Sequence, residues 1–117
     1  MSSEPVIDPV AIETLRSLNP EDDSFLREVV GIFIEDTPQR LAELRTAFAD
    51  ADSMRFTRAA HSIKGSASNL GAGRLRALAE QIELGSRKNG LSGLDGLIPA
   101  LENEFGAAKI ALEKIVG

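Results

Sequence analysis

Phe56-Thr57-Arg58-Ala59-Ala60-His61-Ser62-Ile63-Lys64-Gly65-Ser66-Ala67-Ser68-Asn69-Leu70 is the stretch that decides how this chain folds. Phe56, Ala60, Ile63, Ala67 and Leu70 recur at strict four–three spacing, the pattern of a helix that buries one face. At ~100° per residue these positions stay within about 40° of a common centre. His61, the only histidine in the chain, lies about 140° from that centre, Gly65 about 180° and Ser68 about 120°, with Lys64 on the flank at about 80°. A lone histidine is ordinarily a partly buried, hydrogen-bonded core residue. This one faces away from the core unless another helix covers it.

Outward from this segment the helical period continues in both directions. Residues 9–18 read as a short helix, with Asp8 as N-cap and Pro9 at its first position. Residues 23–50 form a long one, with Leu26, Val30, Phe33, Thr37, Leu41, Leu44 and Phe48 on its stripe. Pro38 is expected to kink that helix without ending it, because the stripe continues beyond it. The quoted helix covers residues 53–70 and breaks at Gly71-Ala72-Gly73. A fourth spans residues 72–89, carrying Leu75, Leu78, Ala79 and Ile82, and a fifth spans about 94–116, with Gly93 and Gly96 blurring its start. Four amphipathic helices on short loops cannot bury their stripes singly. The expected fold is all-α: an antiparallel four-helix bundle with a short additional N-terminal helix. Residues 1–7 are expected to be a flexible N-terminus and residues 8–117 a single domain.

Length and composition narrow the function. A chain of 117 residues with no cysteine and one histidine offers neither a disulfide framework nor a thiolate or polyhistidine metal site. No apolar run reaches the ~20 residues of a membrane span, and the N-terminal residues lack the pattern of a signal peptide. A cytoplasmic, monomeric protein is the simplest expectation. The net charge of −5 disfavours non-specific nucleic-acid binding. That charge is unevenly placed: residues 53–79 hold Arg55, Arg58, Lys64, Arg74 and Arg76 and no acid, leaving −10 to the rest. A basic patch centred on His61 favours an anion or an acidic partner surface.

The stripe of His61, Lys64, Gly65 and Ser68 suggests a chemistry. Neutral imidazole is a competent nucleophile near neutral pH, and Lys64 sits beside it as a mobile point charge. A phosphoryl group spreads its charge over three oxygens and needs neighbouring cations and donors more than a base. Gly65, in mid-helix, gives up about 1 kcal/mol relative to alanine. On a surface position that loss points to clearance for an approaching partner.

The run from His61 to Ala72, with its His-x-x-Lys-Gly start and its Leu70-Gly71, resembles the signature of histidine-containing phosphotransfer domains. The resemblance extends to Leu75, Ala79, Ile82, Glu83, Gly85 and Arg87 downstream and to the proline-containing helix upstream, covering roughly residues 25–116. Ile63 stands where leucine is usual. The resemblance implies that His61 is phosphorylated on Nε2 by the aspartyl phosphate of a response-regulator receiver domain and passes the group to another. It implies that Lys64 holds phosphoryl oxygens, that Gly65 provides clearance, and that Glu83 accepts a hydrogen bond from the other ring nitrogen. Ser68 is a candidate for a further phosphoryl contact. Glu83 lies about 80° from the apolar centre of its own helix, a flank from which it can reach a neighbour.

The implied partners are receiver domains and a hybrid sensor kinase, with Mg2+ on the receiver and no cofactor, kinase activity or nucleotide site in this chain. Two alternatives stand beside this reading: a non-catalytic helical adaptor binding through the His61 face, and the phosphoacceptor piece of a hybrid sensor kinase. The initiating Met1 favours an independent protein over the latter. Leu84, pointing off the core, is either an apolar partner contact or a plain surface leucine.

Overall fold

The computed structural model describes residues 5–117. Five helices are present and no strand among the described residues: α1 (Pro9–Ser17), α2 (Ser24–Ala49), α3 (Ser53–Asn69), α4 (Gly73–Asn89) and α5 (Leu97–Val116). The all-α expectation holds. α3 packs along both α2 and α4, while α5 closes the bundle by touching α4 and α2, and α1 lies against α2.

Local chemistry sets most of the ends. The Asp8 carboxylate accepts the Val10 amide at 2.9 Å, and Pro9 fills the first helical position, where its missing N–H costs nothing. Asp52 caps α3 in the same way, accepting from Arg55 N at 3.1 Å. α2 runs through Pro38 without ending. The C-terminal ends of α2 and α3, which flank α3 on either side, are formed by the same device. Leading in, Asp52 N donates to Ala47 O and Ala51 N to Phe48 O, with Ala51 at φ 55°. Leading out, Ala72 N donates to Ala67 O and Gly71 N to Ser68 O, with Gly71 at φ 69°. These are Schellman turns, one with alanine and one with glycine at the left-handed position. Only Gly71 is sterically obliged: a Cβ there would lie 2.6 Å from the Ala11 Cβ, because α1 rests on this turn and Asp8 N donates to Gly71 O at 2.8 Å.

The core is the set of stripes expected, with Leu26, Leu44, Phe56, Ile63, Leu75, Ile82, Leu101 and Leu112 buried together. Phe33 meets Phe105 across α2 and α5 at 5.4 Å between ring centroids, and Phe48 meets Phe56 across α2 and α3 at 6.0 Å.

Two expectations need adjusting. The fifth helix begins at Leu97 rather than near residue 94. Gly90 and Gly93, both at positive φ, turn the chain so that Leu94 is buried from the loop, against Gly85, where an added Cβ would stand 3.3 Å from it. At the other terminus, residues 1–4 of the expected flexible segment lie outside the described residues. Ile7 is buried in the core and Val6 packs against it, so the packed chain includes residues before Asp8.

Candidate functional site

His61 stands on α3 with its side chain 60% exposed, while Glu83, on α4, is 1% exposed and points at it. The short connection over residues 70–72 and the Ala60, Ala67 and Ala79 contact faces hold α3 and α4 close. A carboxylate from one helix can therefore reach the outer flank of the other. His61 Nδ1 lies 2.7 Å from Glu83 Oε2. Lys64 Nζ, one turn along and 27% exposed, lies 2.7 Å from Oε1 of the same carboxylate. Arg87 contributes a third contact, Nη2 to Oε2 at 2.9 Å, from the exposed side of α4.

Three nitrogen-bearing side chains thus converge on one buried carboxylate. Burial alone pushes the Glu83 carboxyl up; the contacts from Lys64 and His61 outweigh it and hold the group below the ordinary glutamate value of 4.5. An ionised carboxylate has acceptors only, so in the neutral ring it is Nδ1 that carries the proton and donates to Glu83. The lone pair is then on Nε2, on an exposed side chain. An exposed imidazole with a fixed tautomer, a cation beside it and a buried counter-charge behind it is a nucleophile in waiting.

Gly65 lies on the same exposed side, and a Cβ at that position would meet nothing within 4 Å. Its lack of a side chain answers no packing need among the described residues. Ser68 is exposed but does not join the cluster. Seven residues along a helix put it about 10 Å beyond His61, where it lines a hollow with Pro5, Asp8, Ala11, Gly71, Gly73 and Arg76. Leu84 is about half exposed beside Glu83. Arg58, one turn before His61, has no carboxylate within ion-pair distance among the described residues; its Nη2 lies 3.3 Å from the Met54 sulfur.

The sequence placed His61, Lys64 and Gly65 on one face and brought Glu83 to a reachable flank, but gave Arg87 no role. The Glu83–Arg87 spacing of four, a standard helical ion-pair interval, is the signal that would have found it. No group of three or more His, Asp or Glu side chains among the described residues is arranged to hold a metal ion. No helix there is long and apolar enough to cross a membrane.

Comparison with known proteins gives the same direction. Residues 28–111 match the family described as the Hpt domain. Among solved structures, histidine-containing phosphotransfer protein B (HptB) from Pseudomonas aeruginosa PAO1 is 28% identical, with a TM-score of 0.86 over 96% of this chain and 95% of that one. The HPT domain of a sensor hybrid histidine kinase from Shewanella is 16% identical, with a TM-score of 0.71 over 89% and 90%, and shows the common fold. No curated protein matches the chain.

Proposed function

The chain belongs to the Hpt domain family, and on that premise we propose that His61 is the phosphoacceptor of a two-component phosphorelay, receiving its group from one receiver domain and passing it to another. The observation that carries this reading is the 2.7 Å contact that ties Nδ1 of an exposed histidine to a buried carboxylate and leaves Nε2 free.

In the forward step the Nε2 lone pair attacks the phosphorus of an aspartyl phosphate. The P–O bond to the acyl oxygen breaks, and its electron pair stays on the receiver's Asp carboxylate. The ring keeps its Nδ1 proton throughout and so gains a positive charge as the N–P bond forms. Glu83 already stands at hydrogen-bond distance from that charge, so no group has to reorganise to meet it. The same logic makes the ring a good leaving group when the next receiver attacks.

Lys64 pairs with the Glu83 carboxylate by charge, its Nζ 2.7 Å from Oε1, and its ammonium donors can turn to phosphoryl oxygens. Arg87 holds the second carboxylate oxygen and limits how far Glu83 can follow the ring. We assign Mg2+ to the receiver, where the aspartyl phosphate is formed. Positioning and charge stabilisation are all that this chain need supply.

The test is phosphate uptake from phosphorylated receivers of the source organism, read as acid-labile, base-stable label. Wild type should take up label and His61→Gln should not. Label on the His61→Gln variant would refute the assignment. No uptake from any receiver would favour the adaptor reading.

A further inference from the structure

We propose that Thr57 and Ser86 are positioning residues for His61: their hydroxyls pin α3 to α4 one turn from the imidazole and fix where Glu83 stands. The inference rests on the phosphoacceptor reading of His61 for its consequence in rate, and on the geometry below for the rest.

Thr57 precedes His61 by four residues on α3, and Ser86 follows Glu83 by three on α4. The two helices run in opposite directions, so the pairs meet as adjacent rungs. One rung is Thr57 Oγ1 to Ser86 Oγ at 2.6 Å, and the other is His61 Nδ1 to Glu83 Oε2 at 2.7 Å. Ser86 Oγ also lies 2.9 Å from the backbone carbonyl of Glu83 itself, and Thr57 Oγ1 lies 2.8 Å from Ser53 O. Two hydroxyl protons serve these three contacts. Either Thr57 donates to Ser86, which donates to the Glu83 carbonyl, or Ser86 donates to Thr57, which donates to the Ser53 carbonyl. The bond between the helices is made in both arrangements.

The neighbouring α3–α4 contacts are made by Ala60, Ala67, Ala79, Leu75 and Ile82, all buried. Packing of small and aliphatic groups is non-directional and does not by itself orient a polar side chain. A slide along the axis lengthens and misaligns the 2.7 Å His61–Glu83 contact, and so weakens its hold on the ring. Arg87, one turn beyond Glu83 and mostly exposed, meets the same carboxylate oxygen as His61 but from its own helix, so it does not tie α4 to α3. The hydroxyl pair is a directional contact between the two helices that does not pass through the Glu83 side chain, and it opposes such a slide. It is interior, too: Ser86 is 4% exposed, where an alanine would pack without needing a partner.

The experiment compares wild type, Thr57→Val (same shape, no hydroxyl), Thr57→Ser (hydroxyl kept) and Ser86→Ala. Two readouts need no protein partner: the ring 15N shifts of His61, which report the proton on Nδ1, and the rate of Nε2 phosphorylation by phosphoramidate. In the latter reaction the donor's P–N bond breaks, ammonia leaves with that electron pair, and the ring keeps its Nδ1 proton. Thr57→Val and Ser86→Ala should each shift the ring toward a mixture of tautomers and slow phosphorylation about three- to tenfold, the scale of one neutral hydrogen bond. Thr57→Ser should behave as wild type.

Wild-type tautomer and rate in both hydroxyl-lacking variants, even with lowered melting temperatures, would overturn the proposal and leave the pair a structural one. Should Thr57→Val fail to fold, Ser86→Ala decides by the same readouts. If phosphoramidate leaves wild-type His61 unmodified, the phosphoacceptor reading fails instead, and the tautomer comparison still decides the positioning role.

Discussion

Replacing Gly65 should separate the stability of this protein from its chemistry, and the two effects have opposite signs. A Cβ at Gly65 meets nothing within 4 Å, so neither alanine nor glutamine has to displace anything. Relieving a mid-helix glycine is worth about 0.8–1.0 kcal/mol for alanine and slightly less for glutamine. For a domain of this size that is a rise of about 4 °C in melting temperature. Transfer should move the other way. Residue 65 is one turn beyond His61 on the same face, about 5–6 Å between Cβ positions, so a glutamine lies where a partner's loop must descend to bring phosphorus to Nε2. Reacting atoms need to approach within ~3–3.5 Å, and about 1 Å of misplacement costs ~100-fold. Gly65→Gln should therefore melt higher while slowing transfer from a phosphorylated receiver by about 100-fold, with Gly65→Ala between it and wild type. Phosphoramidate is small and needs no such clearance, so its rate should stay unchanged in both. A receiver rate equal to wild type in Gly65→Gln would refute the steric argument. An equal fall with phosphoramidate would move the defect to the imidazole.

Glu83→Gln should flatten the acid limb of stability. The Glu83 carboxyl is held below 4.5, so its ionised form stabilises the fold above that pH and the contribution disappears as pH falls from there toward the lowered folded value. Urea melts from pH 7 down to pH 3 should show the wild type losing more stability than the variant; parallel curves would contradict the assignment. Gly71→Ala combines a left-handed φ with a 2.6 Å encounter with Ala11 and should cost about 2–4 kcal/mol, measured by chemical denaturation; a loss under about 1 kcal/mol would mean α1 is free to lift away. Ala51→Gly, at the matching turn with φ 55°, should instead stabilise by about 0.5–1 kcal/mol, and a lower melting temperature would count against the strain argument.

The helices were legible because each buries one stripe, and a period of 3.6 survives in sequence whatever the neighbour is. That is why the ends of α2, α3 and α4 fell within a residue of their expected positions. Leu94 shows the limit: it continues the stripe of α5, yet the two left-handed glycines spend it in a loop. The exposed side of His61 was readable from the wheel of its own helix. The depth of Glu83 was not, since flank positions become buried only through what the neighbouring helix lays over them, here Lys64 and His61. Thr57 and Ser86 gave no signal at all. A threonine and a serine in two helices are ordinary, and their pairing depends on an axial register that no single-helix period encodes.

His61, Lys64, Glu83 and Arg87 all come from one helical hairpin, α3 and α4, joined over residues 70–72. The arrangement of charge is thus carried on a single contiguous stretch of chain, and α2 and α5 act as its stiffening frame. Substitution on the outward faces of those frame helices leaves the reacting geometry intact as long as the core volume is kept. Grafting residues 53–89 onto another frame is the engineering counterpart: the His61–Glu83 contact and the clearance at Gly65 should travel together with the hairpin.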